Sequence, residues 1–278
     1  LKPVEGLLFG TAGTPVSALA RDTVTGLSRL RELGLDSMEL EYVRGTFPGV
    51  EKAREIAAAA RDNAIRLTAH GPYFINLNAQ EPDKLVASRE RILKTARFGA
   101  LSGAESITFH AGFFLGQDER IVYRRIRDEL KKLVDEIHRM NLDVDVRPEL
   151  TGKPTQLGSL DEIISLSEEI EGVQPCIDWS HLHARSGAFN TAGEFQSVID
   201  LVRSRLGERA LKSFHMHVSG IEYSPKGEKK HLNLDESDFN YRDLVRVLWD
   251  NGICGFMVCE SPSLEGDAMI LKNFYNSL

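Results

Sequence analysis

Strand-like and helix-like patterns alternate eight times along these 278 residues, with no break in composition between them. No other feature constrains the fold as strongly. The strand patterns fall at 7–10, 37–42, 66–70, 106–110, 143–149, 174–178, 212–218 and 256–260. Helical patterns lie between them, among them 16–33, 50–62, 84–101, 119–140 and 160–170. Gly34, Asn63, Gly103, Asn141, Gly172, Gly207 and Gly252 stand at helix ends. Such residues tolerate the left-handed backbone that stops a helix. Parallel strands need a crossover, usually a helix, and eight such units suffice to close a sheet on itself. The expectation is an α/β fold, a (β/α)8 TIM barrel, as a single domain over 1–278; an open doubly wound sheet is the alternative.

Six successive predicted strands end in a side chain that can bind metal: His70, His110, Glu149, Asp178, His217 and Glu260. His181 and His231 fall just beyond, in segments read as loops. A barrel enzyme carries its working residues at the C-terminal ends of its strands. The fold would therefore gather these donors at one mouth, whatever their separation in sequence. A lone histidine there is usually a hydrogen-bonded core residue; a ring of donors is a metal site. Imidazole mixed with carboxylate suits Zn, Mn or Fe better than Mg or Ca, which prefer all-oxygen shells. Eight donors exceed the needs of one or two ions and suffice for three if Glu149 bridges two. His215 and His217 face the same way by alternation, so either can supply the donor of its strand.

The same alternation sends Met38, Leu40 and Tyr42 toward the helices and Glu39 and Glu41 inward. It likewise turns Ser106, Thr108, Asp145 and Arg147 inward. An unpaired buried charge is very costly, so Arg147 is expected to pair with Glu39, Glu41 or Asp145. Structural ion pairing is the simpler account of these inner charges. Trp179 reads as core, and Phe113 and Phe114 as either a cover over the site or a sugar-binding wall.

The net charge of -7 argues against a general polyanion-binding surface, although divalent metal would neutralise acids in the ligand ring. Three cysteines without paired spacing read as reduced thiols. With no apolar run of about eighteen residues and no basic-then-apolar leader, neither a membrane span nor a secretion signal is expected. The location expected is cytoplasmic, and no protein partner is implied.

Several motifs carry a resemblance. His70-Gly71-Pro72-Tyr73-Phe74-Ile75-Asn76-Leu77, Thr108-Phe109-His110-Ala111-Gly112 and Pro148-Glu149-Leu150-Thr151-Gly152 resemble segments of the endonuclease IV family of apurinic/apyrimidinic endonucleases. So do Cys176-Ile177-Asp178-Trp179-Ser180-His181 and Cys259-Glu260-Ser261-Pro262. The resemblance runs from the third strand to the eighth. It implies a zinc-dependent enzyme, with two or three ions and Mn2+ or Fe2+ as substitutes, that cuts abasic double-stranded DNA 5′ to the lesion. It also implies that His70 and His110 hold a first ion and that Glu149 bridges to a second and is catalytic. Asp178, His217 and Glu260 would complete the second, and His181 and His231 would hold the third. Tyr73 matches a position that fills the gap at a distorted abasic site. His217 is preferred to His215 on its spacing to the next motif.

The chain departs from the family in three places. The family has a carboxylate two residues before its last histidine, where this chain has Lys229; Glu228 would substitute if the loop is shifted. Phe9-Gly10-Thr11-Ala12-Gly13 lacks the family's histidine-containing first-strand pattern, and the loop after the second strand differs. Arg44, Lys153, Arg185, Lys226, Lys229 and Lys230 are expected in mouth loops, with the run from Lys226 to His231 the best phosphate contact; Lys229 and Lys230 are the DNA-binding choices. Replacing its three lysines should weaken DNA binding and flatten its salt dependence. The main rival is a sugar isomerase or epimerase of the xylose isomerase-like superfamily. It would use one ion held by Glu149, Asp178, His217 and Glu260, with two carboxylates shuttling a proton at carbon. The remaining histidines favour the nuclease.

Overall fold

The computed structural model describes residues 4–278. Eight parallel strands build the barrel: β1 (Leu7–Ala12), β2 (Ser37–Glu41), β3 (Arg66–His70), β4 (Ala104–Phe109), β5 (Asp145–Pro148), β6 (Cys176–Asp178), β7 (Phe214–Val218) and β8 (Gly255–Cys259). They pair in the order β5-β4-β3-β2-β1-β8-β7-β6. The seam between β5 and β6 is closed by two parallel bridges, Val146 to Val173 and Glu149 to Cys176. Gln174 N donates to Val146 O and Leu150 N to Cys176 O there, both at 3.0 Å. The strand order never reverses, as a doubly wound sheet would require, so the barrel expectation holds and the open sheet does not.

Helices follow the strands around the outside. Phe109, Val146 and Met257 point outward into one continuous apolar core with Ile126, Leu130 and Leu133 of the helix Glu119–Arg139. The floor of the barrel interior is a small apolar cluster of Val4, Phe256 and Val258. Below it Arg66 pairs with Glu105 and lies 5.5 Å from the Phe256 ring centre. The upper lining is polar, so strand alternation has separated a dry outer layer from a charged shaft that opens at the strand C-termini. Arg147 Nη2 meets Asp145 Oδ2 at 3.0 Å, rather than Glu39 or Glu41. Among the described residues, no helix is long and apolar enough to cross a membrane.

Local expectations fail in a few places. The helix expected over 16–33 spans Thr23–Leu33 and is capped by Asp22, which accepts from Thr25 N. Ahead of it, Val16 N and Ser17 N donate to the carboxylate of Glu265 at 2.8 and 2.7 Å. Those two bonds tie the segment before the helix to the start of the last helix, Glu265–Asn276. At the end of the helix Val50–Asp62, Asn63 keeps φ at -92°, and Ala64 takes the left-handed turn with φ of 53°. Strands expected from 143 and 212 begin at Asp145 and Phe214. A short antiparallel strand pair, Gly112–Phe113 with Gln156–Leu157, and an antiparallel hairpin, Gly220–Ser224 with Gly227–Leu232, rise over the mouth.

Candidate metal centre

His70 and Asp178 are the last residues of β3 and β6, and His110, Glu149 and Glu260 each stand one residue past the end of β4, β5 and β8. His217 lies one residue inside the end of β7. His181 is not in a loop. It sits in the first turn of the helix Trp179–Ser186, whose N-cap is Asp178, with Asp178 Oδ1 accepting from His181 N at 2.8 Å. One carboxylate thus starts the helix and places the next donor over the mouth. His231, also expected in a loop, is in the second strand of the hairpin Gly220–Ser224/Gly227–Leu232.

These side chains form three donor groups at the mouth, each with its donor atoms within 4.8 Å of one another: His70, His110 and Glu149; Glu149, Asp178, His217 and Glu260; and His181, Glu228 and His231; a fourth group joins His217 to Cys176 and His215. Glu149 belongs to two and touches the third. Its Oε2 lies 2.9 Å from His70 Nε2 and 3.3 Å from His110 Nε2. Its Oε1 lies 3.3 Å from His181 Nδ1 and 3.5 Å from His217 Nδ1. Four imidazoles around one buried carboxylate give the chemistry of a shared ligand. His217 is in the second group; His215 lies deeper, with Nε2 3.0 Å from Glu39 and Nδ1 3.1 Å from Ser106 Oγ.

Glu228 takes the carboxylate position of the third group, with Oε2 3.4 Å from His181 Nε2. The cause is a bulge. Glu222 pairs with Lys230 and Tyr223 with Glu228, leaving Lys229 as the extra residue. In an unbroken strand, residues three apart face opposite sides; one inserted residue turns Glu228 and His231 to the same side. The ammonium groups of Lys229 and Lys230 point away, 3.1 and 3.4 Å from Glu222. Gly152 allows the approach, since a Cβ there would lie 2.6 Å from Glu228 Cβ. If this group holds an ion, Glu228→Ala is expected to lower the divalent-metal content by about one ion per chain, with Lys229→Ala unchanged; elemental analysis of dialysed protein distinguishes them.

Burial pushes Glu149 up, yet His110 and His217 beside it hold its carboxyl well below the usual range. Burial pulls His70 down, but Glu149 and Glu41 raise it to about 10. His181 is likewise held well above 6.5, against its burial, by Asp178, Glu149 and Glu228. Glu41, on the inner face of β2, is pushed up to about 8 by burial and by Glu39 and Glu260. Asp178 Oδ2, Glu41 Oε1 and His217 Nδ1 are buried with no hydrogen-bond partner. Orphaned donors of this kind, aimed into one space and mixed N and O in character, fit divalent ions.

Above the donors is a cavity of about 360 Å3, lined on its upper side by Tyr73, Phe113, Lys153 and Gln156. Tyr73 is 58% exposed and its neighbour Phe74 66%, an aromatic pair at the rim. Phe113 borders the cavity, whereas Phe114 is buried. Trp179 is core, packed edge-on against Phe195 at 5.7 Å. Arg185 is not a free mouth cation: Nη1 donates to the carbonyls of Thr151 and Lys153 and Nη2 to that of Gln156, tying the loop after β5 to the helix Trp179–Ser186. Sequence reasoning turned Glu39 inward only as a possible partner of Arg147; it instead lies 3.0 Å from His215 Nε2 and 2.9 Å from His217 Nε2.

The family model described as xylose isomerase-like TIM barrel matches residues 27–274. An uncharacterized protein of Methanocaldococcus jannaschii is 42% identical over 98% of both chains. A probable endonuclease 4 of Mycoplasma pneumoniae is 26% identical over 71% of this chain and 68% of its own. Among solved structures, endonuclease IV from Thermus thermophilus superposes with a TM-score of 0.74 at 15% identity, covering 96% of this chain and 100% of that one. D-psicose 3-epimerase from Clostridium cellulolyticum superposes with 0.69 at 14% identity, over 96% and 98%.

Proposed function

The chain belongs to the xylose isomerase-like TIM barrel family, and on that premise we propose that it is a metal-dependent phosphodiesterase hydrolysing the DNA backbone 5′ to abasic sites. The observation that carries this reading is the third donor group, His181, Glu228 and His231, set against the two that share Glu149. One-ion chemistry at carbon has no use for it. The similarity to a probable endonuclease 4 supports the same reading. His70, His110 and Glu149 would hold one ion, Glu149, Asp178, His217 and Glu260 a second, and His181, Glu228 and His231 a third. Divalent ions, when bound, polarise phosphoryl oxygens and bring the pKa of water to near neutrality.

The protein's own residues orient the substrate. Glu149, at the centre of the donors, orients the attacking water. Lys153 at the cavity edge meets a phosphate. Tyr73, exposed at the rim and 5.9 Å from the His70 ring, fills the void left by a missing base. Tyr73→Ala is expected to weaken binding of an abasic duplex about tenfold or more, from the loss of roughly 1–3 kcal/mol of stacking, while an undamaged duplex changes little. Equal losses on both in a fluorescence-anisotropy titration would reject the wedge.

A second reading has one observation in its favour: Glu149, Asp178, His217 and Glu260 alone form a complete one-ion set, leaving two carboxylates to exchange a proton at a sugar carbon. Metal content measured beside incision of an abasic duplex decides. About three zinc or manganese ions with incision 5′ to the lesion supports the nuclease. One ion and an intact duplex transfers the assignment to a sugar epimerase.

A further inference from the structure

Beneath the donors, the shaft holds a carboxylate that neither reading uses. Glu39 on β2 is fully buried. Its Oε1 lies 2.9 Å from His217 Nε2 and its Oε2 3.0 Å from His215 Nε2. Thr68 Oγ1 donates to Oε2 at 2.7 Å, and Ser106 Oγ lies 3.1 Å from His215 Nδ1. The order from the mouth downward is His217, Glu39, His215, Ser106. Strand register makes this chain of contacts possible. Glu39 pairs with Thr68 on the neighbouring strand, and His215 and His217, two apart on β7, both turn inward to meet Glu39 across the shaft.

We infer that Glu39 is a positioning residue that fixes the tautomer and tilt of His217, with His215 and Thr68 holding Glu39 in place. The assignment builds on the reading of His217 as a metal ligand. A carboxylate oxygen 2.9 Å from a ring nitrogen repels a lone pair there, so the ring proton resides on Nε2. The lone pair is then on Nδ1, the atom that faces Glu149 and Glu260 at 3.5 Å each. The two rings approach Glu39 at short range without an aligned hydrogen bond, so charge rather than directional bonding decides the tautomer. A carboxylate behind a metal-binding imidazole raises its basicity and fixes its orientation, and loss of such a partner typically costs roughly ten- to hundredfold in metal affinity. His215 supplies the second N–H that a doubly buried carboxylate requires, which gives that histidine a purpose although it is not in the second donor group.

The test uses the full chain with zinc alone as the probe. Glu39→Gln keeps the volume but offers one acceptor oxygen for two ring N–H groups. Chelator-competition titrations of wild type, Glu39→Gln and His217→Ala are expected to show loss of one ion in His217→Ala. In Glu39→Gln the same ion should bind roughly ten- to hundredfold more weakly. Nitrogen-15 spectra of histidine-labelled, zinc-loaded wild type are expected to show the Nε2–H tautomer for His217. An Nδ1–H tautomer overturns the inference, as does wild-type zinc affinity in Glu39→Gln while His217→Ala loses its ion. If His217→Ala keeps every ion, the ligand reading itself fails and takes the inference with it. Should Glu39→Gln not fold, the wild-type spectrum alone decides.

Discussion

Glu149→Gln is expected to lower incision of an abasic duplex by at least about a thousandfold, near or beyond the upper end of what one preorganised electrostatic group supplies. The reason is its position. Its two oxygens face His70, His110, His181 and His217 within 3.5 Å, and it is the donor common to two of the three groups. Gln keeps the shape and hydrogen-bonding reach but removes the charge, so both ions that would share this ligand on the proposed reading should weaken together. Replacing any donor that serves one group, such as Glu228, disturbs one ion only. Single-turnover incision measured beside zinc content tests this. Activity within tenfold of wild type, or loss of no more than one ion, would remove Glu149 from the centre of the mechanism.

The second large effect concerns the protein stripped of metal. Its stability is expected to fall as pH rises from about 6.5 toward 10, while the zinc-loaded protein is nearly flat over that interval. The sign follows from linkage. His70 has a folded pKa raised to about 10, above the value near 6.5 of an unfolded histidine. Its contribution is fully present below about 6.5 and is lost as pH passes through the folded value. His181 and His217 are raised too and act in the same direction. Glu41, raised to about 8, also binds its proton in the folded state, and its burial costs stability as that proton leaves. For His70 the ceiling is about 5 kcal/mol, from 1.36 kcal/mol per pKa unit, and sharing of Glu149 among several imidazoles reduces it. Zinc displaces these protons, so its affinity should climb through the same window. Melting curves at pH 6 to 9, with and without zinc, provide the check. A metal-free midpoint that is constant or rises with pH would show that the imidazoles are neutral in the folded chain.

His70, His110, Glu149, Asp178 and Glu260 were legible because each depends on two local facts: where a strand ends and which way alternation turns its last side chains. Both facts are written in a few consecutive residues, as are the eight strand–helix repeats that dictate a barrel and bring distant strand ends to one mouth. Other features depend on packing between segments far apart. His215 and His217 share a face, and only the depth of each in the shaft shows that His217 reaches Glu149 and Glu260 while His215 meets Glu39. The bulge at Lys229 is set by pairing with Gly220–Ser224 and by the close passage of Gly152, so no count of residues along the chain could choose Glu228 over Lys229. Arg185 has the composition of a phosphate contact but is held by three carbonyls of another loop. By itself, then, the sequence determined the barrel and the inward donors, because alternation and helix periodicity act over neighbouring residues. The tertiary structure alone decided how those donors divide into groups around Glu149, because that depends on the register between strands and on which loop closes over which.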